Sequence, residues 1–245
     1  MKITQLVILF NYKKILLGIL VSILLFFISY KIDSSVLSIL LKIIGVLILL
    51  NIIASILASY ILYDKSDLYE LENLKGIIDF ENTENVVLIH ASFDPLSQKL
   101  QSKYPHLNLS VCDIYGNRHE HESGIKVSKK VFPPNPKEIK IHPDKLPFEN
   151  NSQDIILAIT AVHEILNHND RVLFFKEAKR VLKNDGSIIL SEQFRDTINF
   201  IFFNIGAFHF LSQKQWKKAI HEARLNIIKN IKITPFANML TIKKP

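Results

Sequence analysis

Two short stretches set proton-transferring side chains at the ends of apolar runs. "AVHE" places His163 and Glu164 behind "QDIILAIT", and "SEQFRD" brings Glu192, Arg195 and Asp196 behind "SIIL". An imidazole beside carboxylates can take a proton from a reacting group if geometry brings them within hydrogen-bond reach. His163 is therefore the candidate base, and Glu164, Glu192 and Arg195 complete the candidate catalytic set. The same residues have a plainer reading, as a strand-end histidine that caps or packs and an ion-pair set that orders a loop. "NFIFFNIGAFHF" adds Asn199 and His209 among aromatics, either a lid over a greasy substrate or core and membrane-facing surface. In "RHEHE", 118–122, His119 and His121 stand two apart and diverge on a helix, so a solvated helix start is the better reading and no metal is expected.

These residues need a scaffold, and the chain from about 80 onward supplies an alternation. "NVVLIH" is apolar and β-branched, "DPLSQKLQSKY" has helical spacing, "LNLSVCDIY" is strand-like, and "ESGIKVSKKVF" reads as a helix. A proline-rich loop with at most one short strand follows. "QDIILAIT" is then a strand, "NDRVLFFKEAKRVLKNDG" a helix closed by glycine, and "SIILSE" a strand. Strands alternating with helices predict parallel βαβ units in a doubly wound sheet, whose ligands bind beyond the carboxyl ends of the strands. After them "SQKQWKKAIHEARL" is helical, and "NIIKNIKIT" with "ANMLTIKK" around Pro235 reads as a closing antiparallel hairpin.

The first 62 residues are of another kind. Ile15 to Tyr30 and Ile43 to Leu62 carry no charge, and Lys13, Lys14 and Lys42 precede them. At 1.5 Å per residue these runs cover roughly 24 and roughly 30 Å, so both read as transmembrane helices, the first borrowing flanking residues while its lysines snorkel. They form a hairpin around "KIDSS". No small-residue cleavage site follows the first run, which argues against a signal peptide. Lysines at 2, 13 and 14 outweigh Lys31 and Asp33 of the turn, which puts both ends of the hairpin, and all that follows, on the cytoplasmic face of a membrane of the bacterial inner-membrane kind. Residues 63–79 form an amphipathic connector. Five lysines against one aspartate give the hairpin +4 of the total +7, and no basic stripe with interleaved aromatics remains for nucleic acid. Cys112, the single cysteine, excludes an intrachain disulfide framework and fits a reducing compartment.

Leu146 to Glu192 resembles the second half of a class I S-adenosylmethionine-dependent methyltransferase. "LPF", "QD", "RVLKNDG" and "SIILSE" stand in the order that family shows. The resemblance implies a Rossmann-like seven-stranded α/β sheet over 80–245, with S-adenosylmethionine as cofactor. It also implies a cofactor loop at His90, Ala91, Ser92 and Phe93, behind the first strand. The family's loop is acidic and glycine-rich, so that backbone can pass close to the cofactor. Here Ile89 takes the acidic place, 77–115 contain no glycine, and Asp94 or Ser97 is left to cap the next helix. Asp113 matches the acidic residue that accepts from the ribose hydroxyls, a strand-end turn former being its other reading. The adenine contact falls near His142, with Asp144 two residues displaced. Together with the hairpin, the resemblance implies a membrane-tethered methyltransferase acting on a small apolar or lipid-like acceptor, or a methyltransferase-like binding module without catalysis.

Overall fold

The computed structural model describes residues 2–66, 68–115 and 129–245. Two long helices open it, α1 (Ile3–Ser29) and α2 (Ser35–Ser59), both long and apolar enough to cross a membrane. They pack against each other through small residues, Ser22 Oγ donating to the Gly45 carbonyl over 2.9 Å, while Leu17, Leu20 and Phe27 are each 62% exposed. Small residues at such a seam let two backbones approach closely. A π-turn, Tyr60–Lys65, and a short α3 (Leu71–Lys75) carry the chain onward. Asp64 in this turn accepts from the first backbone amides of α1, Ile3 N at 2.9 Å and Thr4 N at 3.2 Å, so it caps the helix from sixty residues away.

The sheet comprises β1 (Asn85–His90), β2 (Asn108–Asp113), β3 (Ile139–Lys140), β4 (Gln153–Ile159), β5 (Leu182–Gln193), β6 (Asn226–Lys232) and β7 (Ala237–Lys243). Their spatial order is β3-β2-β1-β4-β5-β7-β6, parallel except for β7, which runs antiparallel to both neighbours. The alternation and the closing hairpin are thus as expected. The strand order reverses between β1 and β4, and that is where an open α/β sheet leaves its ligand crevice. Among the described residues, helices α4 (Ser97–Lys103), α5 (His168–Val181), α6 (Thr197–Phe203) and α7 (Gln213–Glu222) accompany the sheet.

One face of the sheet packs Phe174 and Phe175 of α5 with Trp216 of α7. The other is covered by Leu62, Leu68, Leu71 and Leu74, so the stretch read as a connector is a layer of the core. Its leucines, three or so residues apart, form one apolar face, and burying it binds the hairpin's foot to the sheet. Gly186 corrects another expectation. α5 ends at Val181 with an extended Leu182, and Gly186 already lies within β5, where a Cβ would meet the Asp154 carbonyl oxygen at 2.8 Å. The glycine serves a close approach of two strands at a register shift rather than a helix cap. The "RHEHE" cluster and most of the helix read at 122–132 lie outside the described residues.

Candidate active site

At the rim of β1 and β2 a serine takes a backbone conformation that usually falls to glycine. Ser92 adopts φ 57°, the left-handed region costly for any residue with a Cβ. Asp113 over-determines it: Oδ1 accepts from Ser92 N at 3.0 Å and from Tyr115 N at 2.9 Å, and Oδ2 from Ser92 Oγ at 3.3 Å. The buried aspartate is therefore engaged by its own chain on both oxygens. His90 is buried beside it with Nε2 3.0 Å from Glu138 Oε2, and the bond from His90 holds the Glu138 carboxyl below its usual range against the opposing effect of burial. Asp94 Oδ1 accepts from Ser97 N at 2.9 Å, as expected of a helix cap. His142 and Asp144 do not join this group, because both are exposed in a turn closed by the His142–Lys145 bridge.

The crevice at the strand reversal is filled by side chains. Tyr69 enters from the connector, its hydroxyl bonded to that of Thr160, which holds φ 48° just beyond β4. Phe93 packs edge-on against Tyr69 with centroids 5.6 Å apart and against Phe132 at 5.0 Å. Tyr63 stacks behind Tyr69 at 6.4 Å and donates to Gln193 Oε1 at 3.3 Å. A cavity of about 10 Å³ lies between Tyr69, Phe93 and the end of β1, and another of about 250 Å³ is lined by Tyr63, Tyr69, Pro95 and Phe132 among others. Sequence reading missed Tyr63, Tyr69, Thr160 and Gln193. Nothing in the spacing of Tyr63 and Tyr69 separates them from the other connector apolars, and their position depends on where the hairpin sits.

The β4 and β5 rim brings together His163, Glu164 and Glu192. Glu192, buried at the end of β5, accepts on Oε1 from the amides of Val162 and His163 at 3.0 and 3.3 Å. Its Oε2 lies 2.7 Å from His163 Nδ1, which orients the ring. Glu164 Oε1 lies 3.5 Å from His163 Nε2 and 3.2 Å from His209 Nε2. Burial alone would depress the His163 pKa, but the Glu192 charge and hydrogen bonds to Glu164 and Glu192 outweigh it and push it up to about 10. Glu164 is held far below the carboxylate range, against the pull of burial, by its bonds from His163 and His209. Carboxylates at both ring nitrogens thus favour the protonated form of His163, and a role as base would require the ring to give that proton up. Arg195 also departs from expectation: Nη2 donates to Gln215 Oε1 at 2.9 Å, at the Ser212 capping box that starts α7, and so serves that helix. Asp196 caps α6 through Asn199 N at 2.9 Å, and buried Asn199 donates to the Phe194 and Phe236 carbonyls.

Behind His209 opens a cavity of about 740 Å³ between the helical hairpin and the turn that follows α6. Its apolar wall includes Gly18, Ile52 and Phe203, and its polar groups include Asn11, Lys14 and Asn204. Asn51 pins the arrangement, donating to the Ile201 carbonyl at 3.2 Å. Ile205 and Phe208 beside it are 79% and 64% exposed.

Residues 106–190 match the family described as "Methyltransferase domain". No curated protein matches the sequence. Among solved structures, a SAM-dependent methyltransferase from Aquifex aeolicus is 14% identical over 75% of this chain and 92% of its own, with a TM-score of 0.51. An S-adenosylmethionine-dependent methyltransferase from Clostridium acetobutylicum is 12% identical over 76% of this chain and 96% of its own, at 0.52. A protein from Pyrococcus horikoshii is 16% identical over 74% and 91%, also at 0.52. At such identities the likeness is one of fold.

Proposed function

We propose that this chain, whose residues 106–190 match a methyltransferase domain, is a membrane-tethered S-adenosylmethionine-dependent enzyme that methylates a small apolar or lipid-like acceptor. The cavity between the hairpin and the domain carries this reading, because it is mostly apolar, has a few polar groups, and has His209 on its wall. The outward apolar faces of α1 and α2 suit hydrocarbon better than water, and the lysine balance supports a cytoplasmic position for the domain. An acceptor dissolved in the bilayer then reaches the rim without crossing water. Its polar end meets His163, Glu164 and His209, and the fixed charges there orient the group that is to be methylated.

S-adenosylmethionine is the cofactor of this class of domain and brings a methyl group on a sulfonium. It does not fit the cavity of about 10 Å³ that Tyr69 and Phe93 leave at the end of β1, where Asp113 is committed to Ser92 and Tyr115. Entry requires Tyr69 to leave Thr160. The closed crevice favours a second reading, a domain that binds membrane components without catalysis. Full-length protein in vesicles, supplied with cofactor labelled at the methyl group, separates the two. Label in the organic extract is expected; label confined to water-soluble product overturns the lipid-like acceptor. Absence of label, with no calorimetric binding of cofactor by the parent or by Tyr69→Ala, supports the module instead.

A further inference from the structure

We propose that His163, Glu164 and His209 form a binding site for one divalent transition-metal ion, with zinc as the ion the donors suit best. Two imidazole nitrogens and one carboxylate oxygen converge there, and the three atoms lie within 4.8 Å of one another. The separations from Glu164 Oε1 are 3.5 Å to His163 Nε2 and 3.2 Å to His209 Nε2. Ligands about 2.0–2.1 Å from a tetrahedral ion stand roughly 3.3–3.4 Å apart, which both separations from Glu164 match closely, while the two imidazole nitrogens lie within 4.8 Å of each other.

The support behind the ligands makes this more than a meeting of charged groups. A metal-binding histidine usually gives its other ring nitrogen to a carboxylate, which fixes the ring and its tautomer. His163 does this with Glu192, through Nδ1 at 2.7 Å, and Glu192 is itself anchored by two backbone amides. The Nε2 face is thereby aimed at Glu164 and His209. The imidazoles of His163 and His209 meet edge-on with centroids 5.0 Å apart, so the rings are not stacked. Three protein ligands leave a coordination position free for water or an oxygen of a bound molecule, the pattern of a catalytic rather than a structural ion. His209 also lines the large cavity, so that position is within reach of what the cavity holds. If the methyltransferase reading holds, an ion there would bind the acceptor oxygen, but binding of the ion does not depend on that reading.

The test needs neither cofactor nor acceptor. Full-length protein in detergent is stripped with chelator, dialysed and titrated with Co²⁺, whose visible absorption reports coordination, and Zn²⁺ is then added in competition. One equivalent of Co²⁺, displaced by Zn²⁺, is expected. Half-exposed His209 can be replaced without disturbing the core, so His209→Ala should weaken binding by at least tenfold. Glu192→Gln, as a positioning change, should weaken it about 10–100-fold while leaving the stoichiometry unchanged. His168→Ala, on the exposed pair with Glu222, should change nothing. No uptake by the parent overturns the proposal. Uptake that His209→Ala and Glu164→Gln both leave intact also overturns it and moves the ion to other histidines, His119 and His121 among them.

Discussion

A single proton separates two accounts of His163. Burial would strip it from the ring, yet Glu192 and Glu164 keep it there, so the folded protein holds it more tightly than the unfolded chain. A group raised in this way stabilises fully below its unfolded value of 6.5 and loses that contribution as pH climbs through about 10. In the metal-free protein His163→Gln should therefore lower the melting temperature most at acid-neutral pH and least in alkali. Melting curves of parent and variant across that range check it, and a gap that widens with pH contradicts the assignment. Tyr69→Ala is a second residue-scale prediction: emptying the crevice should tighten S-adenosylhomocysteine binding at least tenfold by calorimetry, whereas equal or weaker binding would show Tyr69 to be no obstacle. Both groups lay half in view in the sequence. The imidazole and carboxylates behind the strands were legible as a charged rim; the sign of the His163 shift was not, because it depends on how near Glu192 comes once β4 and β5 are paired. The missing glycine was legible too, but not that Ser92 would take the left-handed conformation under the hold of Asp113.

At the scale of elements, the motif that carried the resemblance is a clasp. Arg180 in "RVL" donates to Glu177, to the carbonyls of Leu146 and Phe148 and to Asn150, while Glu177 also accepts from Leu146 N. It ties α5 to the "LPFENN" loop that leads into β4. Arg180→Ala should cost about 2 kcal/mol in denaturant unfolding, since it removes charge-assisted bonds and leaves two carbonyls short of a donor. Gly186→Ala should cost a comparable amount, about 1–3 kcal/mol, because the neighbour its Cβ meets is backbone and cannot rotate away. Element order and type were legible here because hydrophobic period and turn residues are local. The end of α5 was not: a glycine after "KND" signals a helix stop equally well when its task is to let β4 approach β5. The role of Arg195 was hidden for a like reason, as its partner Gln215 lies twenty residues on.

For the whole molecule, the foot of the hairpin and the sheet share one hydrophobic core. Gly45 lies on the seam between α1 and α2, and a Cβ there would meet Phe26 at 3.2 Å and Ser22 Oγ at 3.3 Å. Gly45→Leu should force the helices apart and lower the melting temperature in micelles by several degrees, while an unchanged value would mean that the seam contributes little. Two apolar helices were plain from composition, but their foot becoming a layer of the core was not, since Leu62 read as the end of a membrane run and 63–79 as an amphipathic connector. Asp64 adds a mechanical consequence. By holding the first amides of α1 from within the turn that ends α2, it gears both helices to one joint, and Tyr63 is the adjacent residue. In a bilayer, a change of hydrocarbon thickness alters helix tilt. Through that joint the tilt would reach Tyr63 and Tyr69, so cofactor affinity should differ between short-chain and long-chain lipid, and Asp64→Ala should make the two values converge. The crevice would then act as a gauge of the membrane's thickness.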